Sequence, residues 1–244
     1  MVANSTVSSN TTGDGRGGYG RGGRGGDGGG IYNSGTLTVT NSTVSSNTTG
    51  DGGGAHSWAG RGGDGGGIYN SGTLMVANST VSGNTTGAGG CISWNGCVRT
   101  GPGGGISAGG TVNVENTIIA GNTDPGGDPD DCSGTLTSQG YNLVEDLTDC
   151  TIGGDTTGNV TGQDPRLSPL ADNGGSTQTH ALRSISPAID AGSCSAVTAD
   201  QRGLPRPVDI PDIANADDGC DIGAYEAQEV VLYRLYLPLI SKNH

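Results

Sequence analysis

Short runs of alternating apolar and polar residues, such as Thr36-Leu-Thr-Val-Thr40, are broken every few positions by Asn-Ser or Gly. This period of two over four or five residues predicts strands, and no segment has the 3.6-residue period of a helix. The pattern repeats on a larger scale. ANSTVSSNTTGDG at 3–15 returns as TNSTVSSNTTGDG at 40–52 and ANSTVSGNTTGAG at 77–89, then loosely as ENTIIAGNTDPGG at 115–127, with offsets of 37, 37 and 38 residues. Each period holds a near-constant part of 23 residues (28–50, 65–87, 103–125), separated by inserts of 14 and 15 residues at 51–64 and 88–102.

Stacking the repeats aligns aliphatic columns: Ile31/Ile68/Ile106, Leu37/Leu74/Val112, Val39/Val76/Val114 and Val44/Val81/Ile119. One repeat cannot bury its apolar side, but parallel coils about 4.8 Å apart share an interior and satisfy one another's backbone. Two polar columns, Asn4/Asn41/Asn78/Asn116 and Asn10/Asn47/Asn84/Asn122, fall where strands turn. Asn tolerates the αL geometry of a corner and can hydrogen-bond from rung to rung. The expected fold is all-β, a parallel β-helix (solenoid) over residues 1–127. The inserts are read as mobile loops projecting from one corner, a face suited to contacts with something large.

Composition then fits. The chain has 244 residues, 50 of them Gly, no Phe, and 31% apolar residues, too little for a wide core but enough for a narrow shared one. Net charge is −13. Residues 1–127 hold five Arg against six acids and 128–244 six basic residues against eighteen acids, a balance that argues against nucleic-acid or anionic-membrane partners. Six cysteines in a low-core chain indicate disulfides and an oxidising compartment; sequential pairing Cys91–Cys97, Cys132–Cys150 and Cys194–Cys220 is preferred, each pair bracketing one local segment. No CxxC pair occurs and His56, His180 and His244 are scattered, so zinc is disfavoured.

The coils GGGIYNSGTLTVTNSTVSSNT resemble right-handed parallel β-helix repeats of bacterial surface proteins, and are loosely similar to polymorphic outer-membrane proteins and autotransporter adhesins. That resemblance bears on fold; the same coil also serves polysaccharide lyases and hydrolases. From Gly162 the motifs GQDPRLSPLADNGGSTQTHAL, SPAIDAG, DQRGLPRP and CDIGAYE resemble the choice-of-anchor Q domain. The resemblance implies a surface location, extracellular and bacterial, and brings no catalytic residues. Frequent turn dipeptides over 128–227 give a loop-rich, disulfide-stapled C-terminal cap, read as a lid over the last coil. Asp190, Asp200, Arg202, Arg206, Asp221 and Glu226 are its internal charges, expected to form an ion-pair and turn-capping network, with a calcium site as the alternative. Residues 228–244 are a tail in which Val230–Ile240 is too short to span a membrane, a docking edge strand or a sorting or retention segment.

Met1-Val2-Ala3-Asn4 aligns with Met75-Val76-Ala77-Asn78 inside a rung. Upstream rungs and a signal peptide are therefore expected, and the first rung is expected to invite edge-to-edge self-association.

Other signals are set aside. Arg16–Gly26 matches an RGG box but sits where an insert belongs. Six Asn-x-Ser/Thr sequons follow from the corner columns. The nonapeptide calcium repeat and an ice-binding Thr array both fail on register: outward columns run Thr38/Met75/Asn113 and Thr40/Ala77/Glu115. A β-helix lyase or hydrolase needs clustered carboxylates with a basic residue, or a close acid pair. The repeats offer only Asp14, Asp27, Asp51, Asp64, Glu115 and Asp124, with Asp27 and Asp64 stacked before GGGI as turn caps. No catalytic, cofactor-binding or metal residue is assigned, and no cofactor. The functional expectation is a secreted or cell-surface structural, adhesin-like solenoid contacting polysaccharide or cell-surface components; the alternative is a polysaccharide-active enzyme whose site is not recognisable in this chain.

Overall fold

The computed structural model describes residues 1–92, 96–194 and 197–228. The chain winds into a parallel β-helix in which the first coils repeat the same three short strands and the last ones merge two of them. The first coils contribute β1 (Val2–Ala3), β2 (Thr6–Ser8), β3 (Ile31–Asn33), β4 (Thr36–Thr40), β5 (Thr43–Ser45) and β6 (Ile68–Asn70). The middle coils add β7 (Thr73–Ala77), β8 (Thr80–Ser82), the hairpin β9 (Cys91–Ile92) and β10 (Gly96–Cys97), β11 (Ile106–Ala108), β12 (Thr111–Glu115) and β13 (Ile118–Ala120). The last are β14 (Cys132–Gln139), β15 (Leu143–Val144), β16 (Cys150–Asp155) and β17 (Val160–Thr161).

Three parallel ladders result. One runs β1-β4-β7-β12 onto the end of β14, a second β3-β6-β11 onto its beginning, and a third β2-β5-β8-β13-β15-β17; β16 pairs with β14 beyond the point where the first two ladders merge. The expected columns are in register: Leu37, Leu74 and Val112 are successive partners, as are Ile31, Ile68, Ile106 and Cys132. Val39, Val44, Ile68, Leu74, Val76, Val81, Ile106, Val114, Ile119 and Leu136 are fully buried in one continuous interior. Thin side chains suffice because each rung covers the next.

The two Asn columns do different jobs. Asn4, Asn41, Asn78 and Asn116 have φ of 48°, 45°, 47° and 44°, the αL corner. At the second corner the positive φ falls one residue earlier, on Ser9, Ser46, Gly83 and Gly121, and the Asn turns inward. Asn10, Asn47, Asn84 and Asn122 form a ladder in which each Nδ2 donates to the next Oδ1 at 2.8–2.9 Å. Each of these oxygens also accepts the backbone N–H of the Asn one rung earlier. The ladder ends on Asp131, whose Oδ1 accepts from both Asn122 nitrogens and whose Oδ2 accepts the Asp146 N–H.

All three sequential disulfides are formed. Cys91–Cys97 closes the β9–β10 hairpin; Ser93, Trp94 and Asn95, and the whole Val230–Ile240 segment, lie outside the described residues.

The C-terminal segment corrects the expectation of a lid. It runs back along the side of the solenoid over the β2-β5-β8-β13 ladder, as hydrogen bonds to successive rungs show. The Thr6 hydroxyl donates to Gln178 O, Thr43 Oγ1 to Gln201 Oε1, and Asn41 Nδ2 to Ala199 O; Thr80 Oγ1 accepts from Ala224 N and Asn116 O from Gly223 N. Ala188 and Ile222 pack on Ile118, Ala120 and Leu143. The outer face of this ladder carries Thr and Ser beside small apolar residues, so polar loop backbone can be satisfied there, whereas the end of the stack offers only one strand edge.

Candidate functional site

The inserts leave the solenoid between the second and third strands of a coil, and they are not the mobile loops their composition suggested. Each goes out and returns as two extended legs, and the legs of successive rungs pack side by side. Backbone bonds recur every third residue: Thr12, Gly15 and Gly18 donate to Thr48, Asp51 and Gly54, and Gly22, Gly25 and Gly28 to Trp58, Arg61 and Asp64. Out-and-back legs of one rung are joined by Gly26 N to Gly13 O and Gly23 N to Arg16 O, with matching bonds from Gly63 to Gly50 and Gly60 to Gly53. Gly53 N and Gly90 N reach the return leg of the rung below, at Gly23 O and Gly60 O. A three-residue repeat with no bonds inside a leg is the polyproline II pattern, here cross-linked to neighbours on several sides.

This lattice dictates glycine by proximity and not by φ. A Cβ on Gly22, Gly25, Gly60, Gly63, Gly87 or Gly101 would sit 1.7–1.9 Å from a neighbouring carbonyl oxygen, and none of these residues has a positive φ. The triplets Arg21-Gly-Gly-Arg24-Gly-Gly-Asp27 and Arg61-Gly-Gly-Asp64 meet the requirement, placing two glycines between legs and one side chain outward. The result is a stiff wing.

Its outward side chains align from rung to rung. Arg24, Arg61 and Arg99 occupy equivalent positions on the return legs, and Arg21 pairs in register with Trp58. At the tip, Tyr19 and His56 stack with centroids 5.3 Å apart and planes 9° apart. Tyr19 is 88% and Trp58 67% exposed. Beside the base, Tyr32 and Tyr69 stack at 5.0 Å on the adjoining sheet. The acids sit at the base too. Asp14 and Asp51 each accept the backbone N–H of the next rung, at Asp51 and Ala88. Asp27 accepts Asp64 N–H at 2.8 Å, and Arg24 ion-pairs with both carboxylates. Asp27 therefore ties rungs together instead of capping its own turn. Pro102 stands at the next position and has no N–H, which leaves Asp64 Oδ1 buried without a hydrogen bond and 3.7 Å from Arg61.

No match to the chain was found among protein-family models, curated proteins or solved structures.

Two acid-lined cavities adjoin the coils. One, of about 420 Å³, lies between the return legs and the loop before β14, with Arg61 and Arg99 facing Asp124, Asp128, Asp130 and Asp149. Asp124 Oδ1 is occupied by the Gly126 and Asp128 N–H groups, and Asp130 Oδ1 by Gly103 N–H. The other, of about 340 Å³, is lined by Asp131 and Glu145. Burial pushes the Asp131 carboxyl up to about 7 against the pull of its N–H donors, and Glu145 is raised by burial as well. Neither Asp131 nor Glu145 stands out in the sequence, because both lie after the repeat decays.

The six charges singled out in the C-terminal motifs do converge. Arg202 pairs with Asp200 at 2.7 Å, and Arg206 with Glu226 at 3.2 Å while donating to Gly223 O and Asp221 O. Asp221 accepts Asp190 N–H and Ala227 N–H, Glu226 accepts Val208 N–H and Asp221 N–H, and Asp190 accepts Ile210 N–H. Arg202 also lies 3.7 Å over the Tyr225 ring. Burial first, then the neighbouring Glu226, raises Asp221 to about 8. With their oxygens facing N–H and guanidinium donors, these carboxylates form the expected ion-pair and turn-capping network. Among the described residues, one group of three metal-ligand types has atoms close together, Cys194, Cys220 and Glu226, and its two sulfurs are bonded to each other. No described helix is long and apolar enough to cross a membrane.

Proposed function

We propose that the protein is a secreted or cell-surface structural solenoid of bacterial type, without catalytic activity of its own, that adheres to glycans or other surface components through the glycine wing. The observation that carries this is the pairing of exposed aromatic rings with a rigid backbone plate: Tyr19, His56 and Trp58 stand on legs locked by hydrogen bonds within and between rungs. Flat rings held in place lose little entropy when a sugar face stacks on them. Three disulfides and the resemblance of the C-terminal motifs to the choice-of-anchor Q domain support an oxidising, surface location.

The deciding experiment presents the full chain to a glycan array and to cell surfaces, beside a product-release assay on polysaccharides. Retention that disappears on substituting Tyr19 and Trp58 supports adhesion. Release of oligosaccharide without retention replaces it with the enzyme reading, for which the raised carboxyls of Asp131 and Glu145 in one cavity mark the place to mutate first.

A further inference from the structure

The charges of this chain are segregated onto the wing. The leg and tip stretches 15–26, 52–63 and 89–101 contain Arg16, Arg21, Arg24, Arg61 and Arg99 and not one Asp or Glu. The rest of the protein holds six basic residues against all twenty-four acids. All five Arg side chains belong to exposed residues, and among the described residues Arg16, Arg21 and Arg99 form no ion pair. From Gly50 to Ser57 an extended leg of this type reaches about 20 Å at about 3.1 Å per residue. That is more than two Debye lengths at physiological salt, where the screening length is about 8 Å. A ligand at the tip therefore meets Tyr19, Arg21, His56 and Trp58 at a distance from the acidic body, whereas Arg61 and Arg99, nearer the base, face Asp124, Asp128, Asp130 and Asp149.

We infer that the wing binds an anionic polysaccharide, a chain of carboxylate-bearing sugars. This deepens the adhesive reading and rests on it. The pieces match that ligand class. Pyranose C–H faces stack on Tyr19, His56 and Trp58, and the guanidinium groups of Arg16, Arg21, Arg61 and Arg99 donate forked pairs of hydrogen bonds to carboxylates. In-register Arg24, Arg61 and Arg99 follow the rung spacing of about 4.8 Å, close to the length of one sugar residue, so a chain laid along the stack meets Arg61 and Arg99 on successive rungs. Arg24 is held by Asp27 and Asp64 and serves as the anchor of the column.

The test uses the full chain in affinity electrophoresis with alginate, dextran and poly(U), on wild type, the fourfold variants R16Q/R21Q/R61Q/R99Q and R16K/R21K/R61K/R99K, and Y19A/W58A, with amide exchange over 50–63 confirming an intact wing. Alginate should retard the wild type and dextran should not. The Gln variant should lose about tenfold or more in affinity, the Lys variant should keep more of it, and added salt should weaken binding steeply. Equal retention by dextran and alginate, unmoved by the Gln substitutions, overturns the anionic ligand and leaves the adhesive reading standing. Retention by neither polysaccharide overturns the anionic ligand, and the adhesive reading falls with it only where the glycan array and cell surfaces retain nothing either. Tighter retention by poly(U) than by alginate overturns the proposal in favour of single-stranded nucleic acid.

Discussion

Gly60→Ala is the sharpest probe of the wing. The added Cβ would lie 1.7 Å from Gly23 O and 2.5 Å from Gly23 C, backbone atoms of a neighbouring leg. To reach even the 3.0 Å floor of real Cβ contacts, that leg must retreat by about 1.3 Å. Three bonds converge here, Gly53 N to Gly23 O, Gly60 N to Gly53 O and Gly90 N to Gly60 O, each 2.8 Å. A retreat of that size breaks or badly stretches them, and at about 1 kcal/mol net per bond the loss is about 3 kcal/mol. Gly20→Ala is the matched control: nothing lies within 4 Å of its Cβ and its φ is not positive, so it should be neutral or stabilise by up to about 1 kcal/mol through the unfolded chain. Amide exchange by mass spectrometry over 13–26 and 50–63, with a thermal melt, reads both. Gly60→Ala should lose protection across both stretches and Gly20→Ala in neither. If the two variants exchange alike, the close-packed lattice is wrong.

Three further outcomes follow from buried polar groups. The protein should melt higher at pH 5.5 than at pH 8.5. Asp131 and Asp221 are raised to about 7 and about 8, so the fold keeps protons that the unfolded chain has released, and stability falls as pH rises from the ordinary carboxylate range through those values. Buried His180, lowered by desolvation, opposes this only as pH falls below its ordinary 6.5. Asp131→Asn should flatten the slope between pH 5.5 and 7, and a melting temperature that rises over that range contradicts the assignment. Arg206→Met leaves Glu226 buried beside Asp221 without its cation and should cost about 3–5 kcal/mol in chemical denaturation; a loss under about 1 kcal/mol would mean that Glu226 is already neutral. Replacing Cys132 and Cys150 by Ser opens a loop spanning 18 residues and should cost about 3 kcal/mol on the chain-entropy account, seen as a lower denaturant midpoint.

The coil was legible because its signal is one-dimensional. A 37-residue period places Ile31 on Ile68 and Leu37 on Leu74 whatever the rest of the chain does, and the αL corner at Asn41 follows from residue type. The wing was misjudged for a physical reason. Glycine is read first as a residue for unusual φ or for flexibility, yet here it is the one residue whose absence of Cβ lets backbones touch. The signal was present as the x-Gly-Gly triplets of Arg21–Asp27 and Arg61–Asp64, a three-residue period beside a 37-residue one. The course of the C-terminal segment was not legible at all. Its contacts, such as Thr6 to Gln178, join residues 172 apart, and neither partner looks unusual alone. Asp131 was hidden likewise: it completes an amide column that the sequence reading ended at Asn122.

The arrangement also decides which surfaces remain for a partner. The C-terminal segment occupies the outer face of the β2-β5-β8-β13 ladder, where Thr43 and Ser45 become fully buried. The face of β4, β7 and β12 is open but irregular, with Thr38, Met75 and Asn113 in one column and Thr40, Ala77 and Glu115 in the next, so it offers no repeated chemistry for a repeating ligand. What remains regular and exposed among the described residues is the Arg24, Arg61 and Arg99 column of the wing, with the Tyr32–Tyr69 stack at its base. A polymer ligand gains from regularity, because each further unit meets the same groups at the same spacing and binds at the effective concentration set by the one before it. The covered ladder and the broken columns thus point to the same face as the segregated arginines, and a partner that bound elsewhere on the described residues would forgo the exposed arginine column.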